Sequence, residues 1–340
     1  MPVLSPAAAL LASGGFSAAY LGSLYVLPST RVSLSPPPPP PAPPAEDLAS
    51  SIPANDRKKQ QQPPRDRNHP SVIKARLTAV SLASAASCAF VPLLVSPAAS
   101  SSLEGYRAAL PTALKLLGFV LPSSPAQTAR LLLYPLGLTA SLFAGSFYVH
   151  YLTHDLPWQR NWTSTPLGWF GELKSKFMGW IGVRNFVLAP LTEELTFRSC
   201  VIAASVLGGY SKSQLVFLTP LWFGLAHVHH AFDTWRAGGR TKQALIRGVL
   251  QSTFQFLYTT IFGWYSAFLF LRTGSILPPF LAHALCNTLG LPPIMWALHA
   301  FPEKKLSIWG SYVAGIGAFS YGFWRWTEPA LFGGSAFWPQ

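Results

Sequence analysis

The chain has 340 residues, 50% of them hydrophobic and only 11% charged, with 12 Trp, 23 Phe and a formal net charge of +13. So much apolar side chain with so few charges is more than one water-soluble core can bury, so lipid must cover part of it. The basic excess falls in separate loops instead of one patch on a soluble domain, which argues against a nucleic-acid partner and for a topology signal.

Window hydropathy predicts an all-α, polytopic membrane helix bundle of about eight transmembrane helices enclosing an intramembrane cavity. The spans fall near 4–27, 77–97, 128–152, 180–209, 214–231, 248–271, 275–299 and 307–326, with 104–121 as a further interfacial or short span. The expected organisation is a first transmembrane helix at 1–27, a Pro-rich basic cytosolic linker at 28–76, spans two and three with their loops at 77–179, a polar-bearing core at 180–300, and the last span with its tail at 301–340.

No Lys or Arg precedes the first span, which fits a retained anchor better than a cleavable signal with a basic n-region. The linker reads "PPPPPPAPP" and then "NDRKKQQQPPRDRNHP", too little apolar surface to offset chain entropy, and is expected to be a disordered tether with polyproline-II character. Arg57, Lys58, Lys59, Arg65, Arg67, Lys74 and Arg76 fall in the loop after span one. Arg160, Lys174 and Lys176 follow span three, Arg236, Arg240 and Lys242 follow span five, and Arg272 follows span six. The positive-inside rule then makes the loops after odd-numbered spans cytosolic and the N-terminus lumenal. Asn161 begins an "NWT" sequon, in a loop whose cytosolic side would leave it unmodified. Cys88, Cys200 and Cys286 sit inside spans, where a thiol serves as small buried filler.

Span four carries "LTEELTFR", with two glutamates and an arginine where each ionisable group costs at least ~2.5–3.5 kcal/mol near the bilayer centre. Glu194 and Arg198 are four residues apart and share a helix face, whereas Glu193 is rotated by about 100°. Pro190 is expected to kink or begin the helix and to make room for water beside Glu193. In span five, Phe223 and His227 share a face, His230 lies one turn beyond and His229 points away; for these last two histidines snorkelling to the interface is the simpler reading. In span seven, His283 and Asn287 share a face behind the helix-starting Pro278 and Pro279.

Glu193-Glu194-x-x-x-Arg198, Phe223-x-x-x-His227 and His283-x-x-x-Asn287, in that order on successive hydrophobic segments, resemble the type II CAAX prenyl endopeptidases, the Ras-converting enzymes of the wider ABI membrane-protease family. The flanks "FGLAHVHHAF" and "GSILPPFLAHALCN" are similar to the eukaryotic members. The likeness covers 180–300, which it makes the catalytic core, and the Pro-rich linker departs from it. It implies an endoplasmic-reticulum enzyme that cuts after a farnesylated or geranylgeranylated cysteine and releases the last three residues of CAAX proteins such as small GTPases. Membrane lipid would present such substrates, since a prenyl chain gains ~0.8 kcal/mol per buried CH₂.

Peptide hydrolysis needs an activated water, a proton for the leaving amine and donors for the oxyanion. Glu193 is the expected general base, His227 helps hold the water, and His283 with Asn287 donates to the oxyanion, as the resemblance also suggests. Glu194 and Arg198 support the helix. No cofactor is expected. The alternative is a zinc-bound water held by His227, His283 and a carboxylate. A polytopic transporter, which also places charge at the midplane, and a catalytically silent scaffold are the readings outside enzymology.

Overall fold

The computed structural model describes residues 3–30, 67–96 and 100–338. The tether expected at 28–76 therefore lies largely outside the described residues. Among those described, all regular structure is helical, as the composition predicts.

Helix α1 (Pro6–Val26) starts on a proline whose missing amide hydrogen is harmless there, with the Ser5 side chain accepting from the Ala8 amide. Helix α2 (Pro70–Val95) starts at Pro70 instead of near 77, capped by the His69 ring. Helix α3 (Leu103–Leu116) matches the short segment expected at 104–121. The third expected span is bent by 67° between α4 (Pro125–Leu142) and α5 (Ala144–Leu152). An exposed helix, α6 (Gly168–Met178), leads into α7, a continuous helical run over 180–207.

The fifth expected span is broken into α8 (Lys212–Phe217), α9 (Leu221–Ala226) and α10 (His229–Ala237), and α10 then turns back onto α11 (Lys242–Thr273). Helices α12 (Leu277–Leu289), α13 (Ile294–Ala300) and α14 (Lys305–Arg325) complete the chain. Four stretches are long and apolar enough to cross a membrane: Pro6–Val26, Pro70–Val95, Lys212–Ala237 and Lys242–Thr273, with the bent α4–α5 pair as a fifth. The count of eight is not confirmed. Helix α7 carries Arg184, Glu193, Glu194 and Arg198, and the span expected at 275–299 is interrupted where Gly290 takes φ +68°.

Helix α7 forms the centre. Its Cys200, Val201, Ala203 and Ala204, all fully buried, pack with Phe16 of α1, Val91 of α2 and Ala113 of α3. Ile202 faces the other way, onto Ala267, Phe270 and Leu271 of α11. Hydroxyl contacts tie α7 to the first two helices: Tyr20 to Thr192 at 3.2 Å, and Ser84 to Thr196 at 3.0 Å. Arg272, expected to mark a loop, instead lies in the last turn of α11. It is 5% exposed, pairs with Glu328 at 2.9 Å and donates to the Thr327 carbonyl.

Candidate active site

Helix α7 does not begin at Pro190 but runs on through it. It passes through two π-turns, Val183–Leu188 and Leu195–Cys200, with the Ala189 amide bonded to the Arg184 carbonyl and the Val201 amide to Thr196. In that register an amide at position 190 would bond to the Asn185 carbonyl, but proline has none to offer. The orphaned carbonyl is taken by a side chain: Asn287 Nδ2 donates to Asn185 O at 3.0 Å. The missing proline hydrogen thus becomes a clamp between α7 and α12.

One turn before Asn287, His283 enters the core beside α7 and is held at both edges of its ring. Its Nδ1 is 2.7 Å from Glu194 Oε1, and its Nε2 is 3.6 Å from Glu193 Oε2. The 100° rotation between adjacent glutamates places them beside the two ring nitrogens of one imidazole. Because a carboxylate accepts, Nδ1 carries a hydrogen in the bond to Glu194. The longer approach to Glu193 exceeds a direct hydrogen bond.

The two acids differ in access: Glu194 is 0% exposed and Glu193 is 21% exposed. Glu194 is fully committed. Ser266 Oγ of α11 donates to its Oε2 at 2.7 Å, and Arg198 Nε lies 3.1 Å from the same oxygen. The Arg198 contact is an ion pair without hydrogen-bond alignment, since none of the three guanidinium nitrogens has a hydrogen-bond partner among the described residues. Its π-face neighbours supply part of the compensation, with the guanidinium carbon 4.4 Å from the Phe223 ring centre and 5.7 Å from that of Phe262. Gly263 makes room for this packing, because a Cβ there would meet Pro220 at 2.6 Å.

His227 joins the group through the Phe223 ring, which lies 4.8 Å from the His227 ring and 6.0 Å from that of His283. His227 is half-buried at the end of α9, and its Nδ1 donates to the Phe223 carbonyl at 2.8 Å. A carbonyl only accepts, so in neutral His227 the lone pair sits on Nε2.

The structure therefore brings Glu193, Glu194, Arg198 and His283 into direct contact, adds His227 through Phe223, and leaves Asn287 at the exposed edge, engaged with Asn185. Sequence reasoning missed Ser266. Its only signal was a lone serine in the largely apolar run "GWYSAFLF", and such serines commonly bond back to their own helix. The zinc set considered from sequence does not converge: among the described residues, the three-ligand group with metal spacing is His229, His230 and Asp233.

The family model for type II CAAX prenyl endopeptidases, Rce1-like, matches residues 175–289. The chain is 35% identical over 232 residues to the probable CAAX prenyl protease 2 of Schizosaccharomyces pombe, covering 68% of this chain and 73% of that one. It is 37% identical over 275 residues to human CAAX prenyl protease 2, covering 78% and 75%. The corresponding figures for CAAX prenyl protease 2 of Saccharomyces cerevisiae are 30% over 271 residues, with 72% and 80% covered. No solved structure matches the chain.

Proposed function

The chain belongs to the type II CAAX prenyl endopeptidase family and is a membrane protease acting on peptide bonds, and from that premise we propose that it removes the C-terminal tripeptide of farnesylated or geranylgeranylated CAAX proteins with Glu193 as the base. Membership in a protease family speaks against the transporter reading, and the measurement of tripeptide release separates the enzyme from a silent scaffold of the same fold. The observation that carries the proposal is the pair of glutamates on one imidazole, in which the buried acid is committed to structure and the accessible one remains available to water.

In this mechanism Glu193 takes a proton from water as the water oxygen attacks the carbonyl carbon of the prenylated cysteine. The Nε2 lone pair of His227 accepts a hydrogen bond from that water and orients it. Negative charge develops on the former carbonyl oxygen, and His283, with Nδ1–H fixed on Glu194, turns Nε2 toward it; when Nε2 carries a proton it is the oxyanion donor. Asn287 supplies a second donor after exchanging its bond to Asn185. Glu193 then passes its proton to the amine nitrogen, the C–N bond breaks, and a prenylcysteine carboxylate and a tripeptide leave.

The reaction is proposed to need no metal, because the donors of Glu193, His227 and His283 do not converge as a three-ligand set. The substrates are prenylated proteins such as small GTPases, delivered within the bilayer of the endoplasmic reticulum, with the N-terminus lumenal. A glycan at Asn161 would reverse that orientation.

The deciding measurement is tripeptide release from a farnesylated peptide and from its unprenylated twin by purified protein. Release confined to the prenylated peptide and lost in Glu193→Gln supports the proposal. Equal cutting of both peptides removes prenyl recognition, and an active Glu193→Gln variant removes the base.

A further inference from the structure

The first turns of α10 hold a second cluster that the hydrolytic mechanism leaves unused. His229, His230 and Asp233 each offer one ligand atom, and these atoms lie within 4.8 Å of one another. The two rings sit 4.0 Å apart, centre to centre, at an interplanar angle of 43°. Asp233 Oδ2 is 3.9 Å from His230 Nδ1, too long for a hydrogen bond, with the two side chains 33% and 28% exposed. These donors are reachable from outside the core, unlike the buried Glu194.

We propose that His229, His230 and Asp233 form a binding site for a divalent transition-metal cation of the zinc type, separate from the hydrolytic centre. The donor set fits such an ion: two imidazoles and a carboxylate are borderline ligands, and a tetrahedral zinc with three protein ligands keeps its fourth position for water. Ligands at about 2.0–2.2 Å from a tetrahedral ion stand roughly 3.3–3.6 Å from one another, so small side-chain rotations close the gap from the present spacing. One ligand already has its outer partner. His229 Nδ1 donates to the Ala226 carbonyl at 2.6 Å, which fixes the tautomer with the lone pair on Nε2, as in metal-binding histidines generally.

A divalent ion would accept both imidazole lone pairs and the carboxylate together. Among the described residues, Arg76 is the cation whose charge acts on Asp233 and His229, and its Nε is already donated to the Thr30 carbonyl at 2.7 Å. Tyr25 packs edge-on against His229 at 5.8 Å and holds that ring in place. The His230 ring lies 6.0 Å from that of His227, which puts the proposed ion next to the hydrolytic centre without sharing a ligand with it.

The test uses the full chain purified in detergent, stripped with a chelator, titrated with zinc and assayed for bound metal by mass spectrometry, with cobalt(II) d–d absorption as the coordination readout. About one zinc per chain is expected, with a tetrahedral cobalt spectrum. His229→Ala and Asp233→Asn are each expected to weaken binding by at least ~10-fold, while Glu193→Gln binds as the unmodified chain does. Retained tripeptide release by the His229 and Asp233 variants shows that they are folded; if one is not, the other decides. Absence of stoichiometric zinc, binding unchanged in both variants, or loss of zinc in Glu193→Gln alone would each overturn the proposal, the last by moving the ion to the hydrolytic centre.

Discussion

Two histidine clusters lie side by side, the His227 and His230 rings 6.0 Å apart, and they are built on opposite principles. Around His283 the inner acid is fixed on every side: Glu194 holds the ring nitrogen, Ser266 and Arg198 hold Glu194, and aromatic rings close over the guanidinium. Around His229 the groups are half-exposed, loosely spaced and joined by no direct hydrogen bond between His230 and Asp233. Burial makes the first cluster rigid, because an unpaired charge in a low-dielectric interior is too costly to tolerate. Access to solvent leaves the second adjustable, which suits binding of an ion.

The contrast predicts that substitutions in the first cluster are severe and those in the second mild. The largest effect is expected for Glu193→Gln, which removes the proposed base and lowers kcat by ~10²–10⁴-fold with the melting midpoint retained. Tripeptide release by a variant matched for folding measures it. Glu194→Gln acts on stability instead, since it strands Arg198 as a buried uncompensated charge. About 3–5 kcal/mol is expected, read as a lowered melting midpoint in detergent.

Ser266→Ala removes one hydrogen bond to a charged group, about 1.5–3 kcal/mol, and is expected to slow turnover about tenfold with KM little changed. Threonine at 266, which keeps the hydroxyl, should restore most of it. Gly224→Ala brings a Cβ to 2.7 Å from Thr260 Oγ1 and 2.9 Å from the Phe256 ring, forcing α9 from α11 for about 1–3 kcal/mol. At the small end, His229→Ala in metal-free buffer is expected to leave cleavage within about twofold. A large loss there would erase the distinction between the clusters.

Much of the first cluster was legible along the chain. The Glu194–Arg198 pair follows from four-residue spacing alone, and an intramembrane acid beside a later histidine marked the centre. Less visible were features that depend on neighbouring helices. The count of eight spans rested on hydropathy, which sees average composition but not a 67° bend after Leu142 or the breaks within 212–237. Arg272 read as a loop charge because its partners, Glu328 and the Thr327 carbonyl, lie more than fifty residues away. Helix α11 shows the same limit within one element. Leu250, Phe254, Leu257 and Ile261 are over half exposed, whereas Leu269, Phe270 and Leu271 are fully buried, and their hydropathy gives no hint of which is which.

The amino-acid sequence by itself determined the helical class, the need for lipid and the identities of the ionisable groups, because periodicity and transfer cost are local properties of the chain. Only the tertiary structure decided that both glutamates meet one imidazole, that Ser266 secures the inner one, and that Asn287 fills the gap left by Pro190. Those outcomes depend on which helices approach which face of α7. That approach is set by close packing among residues far apart in the chain, which no single helix encodes.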